Sequence, residues 1–175
     1  EILKYPDATL KKVSLPVGAI TGDIVRLVQD MVETMYAAPG VGLAAPQVGA
    51  LWRIVVLDVD YENPRRNLIK LINPEIRHSE GEIVWEEGCL SVIGFTAEVK
   101  RATRVEVVGL NEKEEEVRLE AEGLVAVALQ HEIDHLDGTL FIDRISRLKR
   151  DLYTRRLKKM LRTGKTQPES PRLMI

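Results

Sequence analysis

The chain has 175 residues, of which 45% are hydrophobic and 30% charged, with a net charge of −2. That fits one soluble globular domain with room for a terminal appendage. No apolar run approaches the ~20 residues of a membrane helix, so no membrane role is expected. One cysteine, Cys89, excludes an intrachain disulfide and favours a reducing cytoplasm.

The N-terminus, Glu1 to Leu10, has no pattern of basic flank, apolar core and small-residue cleavage site. Ile24, Leu27, Val28, Met31 and Met35 follow helical spacing. With Thr21 as N-cap, Asp23 in the first turn and Pro39-Gly40 as a stop, they predict a core-packing helix over 21–37. Gly40 to Gln47 (Gly-Val-Gly-Leu-Ala-Ala-Pro-Gln) is rich in small residues. It predicts a non-helical connection that a ligand backbone can approach closely.

The middle of the chain reads as strands: 52–58, then 68–72 ending at Asn73-Pro74, then 82–85, 97–100, 104–110 and 116–121. Asn111 to Glu114 is a polar hairpin turn. Hairpin spacing without regular βαβ alternation predicts antiparallel or mixed sheets. A second helix is expected over 122–137, closed by Gly138. A third, amphipathic and basic, is expected over 146–163, with Leu148, Leu152, Leu157, Met160 and Leu161 as its apolar positions. Residues 164–175 read as a flexible tail. The fold class is α+β: mostly antiparallel or mixed sheets around the second helix, flanked by an N-terminal and a C-terminal helix. Residues 1–145 form the main domain.

The second helix carries Gln130-His131-Glu132-Ile133-Asp134-His135. Two of the chain's three histidines stand four residues apart, on one helical face, with a glutamate beside the first. Such a pair can hold one divalent metal, and Glu132 is placed to move a proton of water activated there. With His131 at zero and about 100° per residue, His135, Leu124, Ala128 and Val127 fall at about 40°, 20°, 60° and −40°. The metal-binding face therefore continues toward the N-terminus as an apolar stripe able to line a pocket. Asp134 lies on the other flank and suits a structural contact.

A third ligand is open among Asp137 and Asp143 downstream, and Cys89 in Glu86-Glu87-Gly88-Cys89-Leu90-Ser91. His78 sits in a polar segment and reads as exposed. A thiolate beside two imidazoles suits a borderline-soft divalent ion and leaves a fourth position open. Three readings follow: a metal hydrolase using Cys89, a zincin-type endopeptidase using Asp137 or Asp143, and a non-catalytic structural metal domain. The last needs a closed four-ligand shell, for which no second cysteine exists.

Gly-Val-Gly-Leu-Ala-Ala-Pro-Gln (40–47), Glu-Gly-Cys-Leu-Ser (87–91) and Gln-His-Glu-Ile-Asp-His-Leu-Asp-Gly (130–138) occur in one order. Together they closely resemble the peptide deformylases. The likeness runs from Ile2-Leu3-Lys4-Tyr5-Pro6-Asp7 to the basic C-terminal helix. It implies removal of the formyl group from the formyl-methionine of nascent chains, releasing formate. It further implies that Cys89, His131 and His135 bind the metal, and that Glu132 is the general acid/base. Gln47 and the Leu90 N–H would contact the oxyanion, and Val41, Gly42 and Gly88 would pair with the substrate backbone. Val41, Trp85, Leu124, Val127, Ala128 and His131 would wall the methionine pocket. The resemblance implies Fe2+ in the cell, with Zn2+, Ni2+ or Co2+ as replacements. Where the family commonly has Pro-Gly after Leu90-Ser91-Val92, this chain has Ile93-Gly94, which predicts a looser loop rim.

Charge is uneven: residues 144–175 hold 11 Lys/Arg and two Asp/Glu, a net of +9, against −11 for residues 1–143. A basic helix on an acidic body suits an RNA-rich partner, here the ribosome surface.

Overall fold

A computed structural model describes residues 1–60 and 62–163; the expected tail, 164–175, lies outside the described residues. Ten regular elements follow in order: α1 (Gly22–Ala37), β1 (Gly42–Ala44), β2 (Ile54–Leu57), β3 (Ile69–Glu80), β4 (Ile83–Cys89), β5 (Val92–Arg101), β6 (Arg104–Leu110), β7 (Glu116–Glu122), α2 (Gly123–Leu136) and α3 (Arg147–Thr163). Short 3-10 turns occupy Ala8–Lys11, Ala45–Val48 and Phe141–Asp143. The fold is α+β, as expected, with every strand pair antiparallel.

Five strands form one sheet in the order β1-β2-β3-β6-β7, while β4 and β5 form a separate hairpin. The sheet lies between two helices. Alternation along β2 shows why all four of its residues are buried. Ile54 and Val56 face α1, packing with Val28, Met31 and Met35, whereas Val55 and Leu57 face α2, packing with Val127, Ala128 and Leu129. Successive side chains point to opposite sides, so a strand between two helices must be apolar throughout. A third apolar cluster joins the hairpin (Val92, Ala97, Val99) to Leu10, Leu140, Phe141, Tyr153 and Leu157.

The structure differs from the sequence reading at five points. Thr21 holds the N-cap position of α1, but its side chain makes no capping hydrogen bond. β3 does not stop at Asn73-Pro74; it continues to Glu80 through register shifts on either side of Glu75-Ile76. Asn73 adopts φ +53°, and its side chain pairs with both backbone groups of Val17, accepting from N at 2.8 Å and donating to O at 2.9 Å. A long-range side-chain contact thus absorbs the break that Asn-Pro would otherwise impose. His78 is exposed as expected, but on β3 rather than in a loop. Ala45–Val48 winds into a 3-10 turn where a non-helical connection was expected. In α3, Tyr153 and Leu157 are buried while Leu148, Leu152 and Leu161 are exposed, so the apolar face is narrower than the leucine spacing predicts.

Candidate metal centre

α2 is apolar on more than one face because both its flanks are covered, and every residue from His131 to Leu136 is buried. It ends where Gly138 takes φ +68° against the backbone of Lys11, where an added Cβ would come within 2.6 Å of the Lys11 carbonyl oxygen. The helix presents His131 and His135 toward the end of β4, where Cys89 closes the hairpin. One ligand atom from each of the three residues lies within 4.8 Å of the others. Cys89 Sγ is 3.3 Å from His135 Nε2.

His131 Nδ1 lies 2.8 Å from Glu87 Oε2. That bond fixes the ring, and His131 Nε2 is buried without a hydrogen-bond partner. Burial alone would push the His131 pKa down, but the neighbouring Cys89 and Glu87 side chains raise it to about 10. An imidazole facing a sulfur and a carboxylate draws positive charge, whether a proton or a metal cation. His135 is held well below the ordinary histidine range by burial and by His131, so it stays neutral, the ligating form. The donor set and the orphaned Nε2 fit a divalent metal.

Glu87 is itself buried. Burial pushes it up, but Arg101 and His131 outweigh this and hold it near about 2. Arg101 donates to Glu87 Oε1 at 2.6 Å through Nε and to Glu87 Oε2 at 2.9 Å through Nη2. Its Nη1 donates to Asp134 Oδ2 at 2.6 Å, and Asp134 also pairs with Arg144. The buried charges therefore form a chain from His131 to the approach of α3.

Glu132 is wholly buried, and neither carboxylate oxygen has a partner. Burial raises its pKa to about 7, a value suited to taking and returning a proton at neutral pH. The side chain packs against Gly42, where an added Cβ would lie 2.8 Å from Cδ and 2.9 Å from Cγ of Glu132. Gln47 is buried on the other side. Its Oε1 accepts from Ala44 N at 2.7 Å, while its Nε2 donates to Ser91 Oγ at 3.2 Å and points at Cys89 Sγ, 3.7 Å away.

The other expected site residues gather around this centre. Gly88 and Leu90 are buried on either side of Cys89 at the hairpin end. Val41, Val127 and Ala128 share one buried cluster, with Trp85 and Leu124 packed against it. The rival third ligands lie elsewhere: Asp137 pairs with Arg53 at 2.7 Å, and Asp143 with Lys11 and Arg150. His78 is exposed beside Glu80.

Sequence reasoning missed Glu87, Arg101 and Ser91. A signal for Glu87 existed: an acidic residue two positions before a ligand cysteine, in a strand whose end is buried, must have a cationic partner. Aromatic contacts run from the rim at Ile93-Gly94 back to the centre. Phe95 stacks on Tyr153 at 4.6 Å, and Tyr153 Oη donates to Ile93 O at 3.5 Å. Phe95 also stacks on Phe141, which in turn stacks on His131 at 6.1 Å.

Comparison with known proteins gives a consistent picture. The family model described as polypeptide deformylase matches residues 1–151. A peptide deformylase of Thermodesulfovibrio yellowstonii is 56% identical over 158 residues, covering 90% of this chain and 96% of the relative. Among solved structures, a peptide deformylase from Legionella pneumophila superposes with a TM-score of 0.87 at 43% identity, covering 96% of this chain and 98% of that one. One from Synechococcus elongatus, in complex with actinonin, gives 0.85 at 36% identity, covering 90% and 87%.

Proposed function

This chain belongs to the polypeptide deformylase family, and from that premise we propose which of its residues carry the reaction. The enzyme is a metal-dependent hydrolase that removes the N-formyl group from nascent peptides. Cys89, His131 and His135 hold the divalent metal. When bound, the metal lowers the pKa of water and polarises the formyl carbonyl.

Glu132 takes a proton from the attacking water as its oxygen bonds to the formyl carbon. Gln47 Nε2 and the Leu90 N–H donate to the formyl oxygen as charge develops there. Glu132 then passes the proton to the leaving nitrogen as the C–N bond breaks, giving formate and a free amine. Val41, Gly42 and Gly88 pair with the substrate backbone. Val41, Trp85, Leu124, Val127, Ala128 and His131 enclose the methionine side chain.

The observation that carries this reading is a buried, unpartnered Glu132 carboxylate beside three converging ligand atoms. The endopeptidase reading is not favoured, since Asp137 and Asp143 are held in ion pairs away from the histidines. Ferrous iron is the proposed cellular metal, with zinc, nickel or cobalt as replacements. No helix among the described residues is long and apolar enough to cross a membrane, and the proposed setting is the cytoplasm, with α3 facing the ribosome.

The test is formate release from a formyl-Met peptide, run beside metal analysis of protein purified without air. Stoichiometric metal with formate release is expected. Cleavage of internal peptide bonds without formate release would reverse the reading.

A further inference from the structure

The two proposed oxyanion donors stand on different supports. Gln47 follows β1, in the five-stranded sheet, whereas Leu90 lies at the turn of the β4–β5 hairpin, and among the described residues no strand pairing joins the two. Gln47 Nε2 reaches Ser91 Oγ at 3.2 Å, but that is a side-chain bond, so another segment must tie the two backbones together. The N-terminal segment does so geometrically. Leu3 N donates to Gln47 O at 2.7 Å, and Tyr5 N donates to Ser91 O at 2.8 Å. Between them, Lys4 Nζ donates to Leu90 O at 2.7 Å. Ile2 is buried in the same apolar cluster as Leu43, Ala45 and Leu90, which anchors the start of the segment.

Resting on the assignment of Gln47 and Leu90 as oxyanion donors, we propose that residues 3–5 form a strap that fixes these donors relative to one another, with Lys4 as a positioning residue. Leu3 and Tyr5 act through backbone groups that any residue supplies. Lys4 alone reaches the hairpin end through a side-chain hydrogen bond, while the Tyr5 ring packs on Tyr153. A charged donor is a stronger tether than a neutral one, and this one holds the carbonyl of the residue whose N–H faces the substrate. Leu90 O and the Leu90 N–H lie in adjacent peptide planes that meet at the Leu90 Cα, so a carbonyl released by Lys4 lets the Leu90 backbone dihedrals shift and re-aims the N–H. Catalytic donors work only when aimed at the place where charge appears, so a small rotation lowers turnover while leaving substrate binding intact.

The experiment is steady-state kinetics with a formyl-Met peptide, on the metal-loaded full chain, for Lys4→Met, Lys4→Arg and Gln47→Leu. Lys4→Met keeps the aliphatic stem and removes the donor. It should lower kcat by about tenfold, as expected for a misplaced donor, with KM, metal content and melting temperature unchanged. Lys4→Arg should recover most of that loss. A Lys4→Met kcat within twofold of the parent, beside a clear loss in Gln47→Leu, would overturn the strap and leave the oxyanion assignment standing. An unaffected Gln47→Leu would remove the assignment and the strap together. A Lys4→Met loss accompanied by loss of metal or by a lowered melting temperature would also overturn it, since Lys4 would then be a general structural residue.

Discussion

Glu87 Oε2 and His131 Nδ1 are 2.8 Å apart in a wholly buried setting, with Arg101 forked onto the same carboxylate. This contact holds the imidazole with its other nitrogen toward Cys89. Carboxylates behind a ligating histidine typically change metal affinity by about 10–100-fold when removed. Glu87→Gln should therefore weaken metal binding by about that factor while Cys89 and His135 stay in place. Competition against a chelator measures it, and an affinity equal to the parent's would contradict the orienting role.

Glu132 has no structural partner to lose. Glu132→Gln should accordingly keep the metal and the fold but cut turnover by about 10²–10⁴-fold, the usual range for a positioned proton carrier. Metal content and formate release on the same sample decide it. Full activity would remove Glu132 from the reaction.

Gly42 is small because Glu132 occupies the space a side chain would need. Gly42→Ala must push the carboxylate aside, so kcat should drop by at least about tenfold with the metal retained. A crystal structure of the variant should show a displaced Glu132. An unmoved carboxylate with normal turnover would show that this close approach is dispensable.

Cys89→Ala should empty the centre, whereas Asp137→Asn and Asp143→Asn should leave metal content at the parent level, because their partners are Arg53, Lys11 and Arg150. Loss of metal from either aspartate variant, with retention in Cys89→Ala, would restore the endopeptidase ligand set.

α3 must be tested by charge rather than by deletion. Tyr153 and Leu157 are buried against the hairpin, so removing residues 146–175 would uncover core, at a cost of about 2–5 kcal/mol for each large buried side chain lost. Arg155, Lys158, Lys159 and Arg162 are exposed. Replacing all four with serine should weaken ribosome binding in low salt, flatten its salt dependence and spare peptide hydrolysis. Ribosome binding unchanged at every salt concentration would refute the docking role.

Much of this architecture was legible in the residues. α2 stands out because apolar period, histidine spacing and terminal glycine agree within one segment, and its elements form locally. The convergence of Cys89 on the histidines is not local. It rests on a hairpin folding back over the helix; donor chemistry named Cys89 beside Asp137 and Asp143, and only resemblance singled it out. Glu87 stayed hidden because its partner Arg101 lies on the neighbouring strand, and a buried carboxylate is allowed only once that pairing exists. β3 ran past Asn73-Pro74 because Asn73 found its bonds on Val17, a residue far away in sequence. The wider apolar stripe read into α3 failed because leucine spacing does not say which face the body covers.

The proposed ligand set would have a mechanical meaning as well. Cys89 and His135 are 46 positions apart, and the intervening chain contains β5, β6 and β7. An ion held at both ends of that stretch ties the hairpin to the helix as a cross-link would, except that it can be withdrawn. Folding free energy and metal occupancy then become one linked equilibrium. A cell starved of the ion would lose a brace along with a catalyst, and the unloaded chains, opening more often, would be the first that proteases clear.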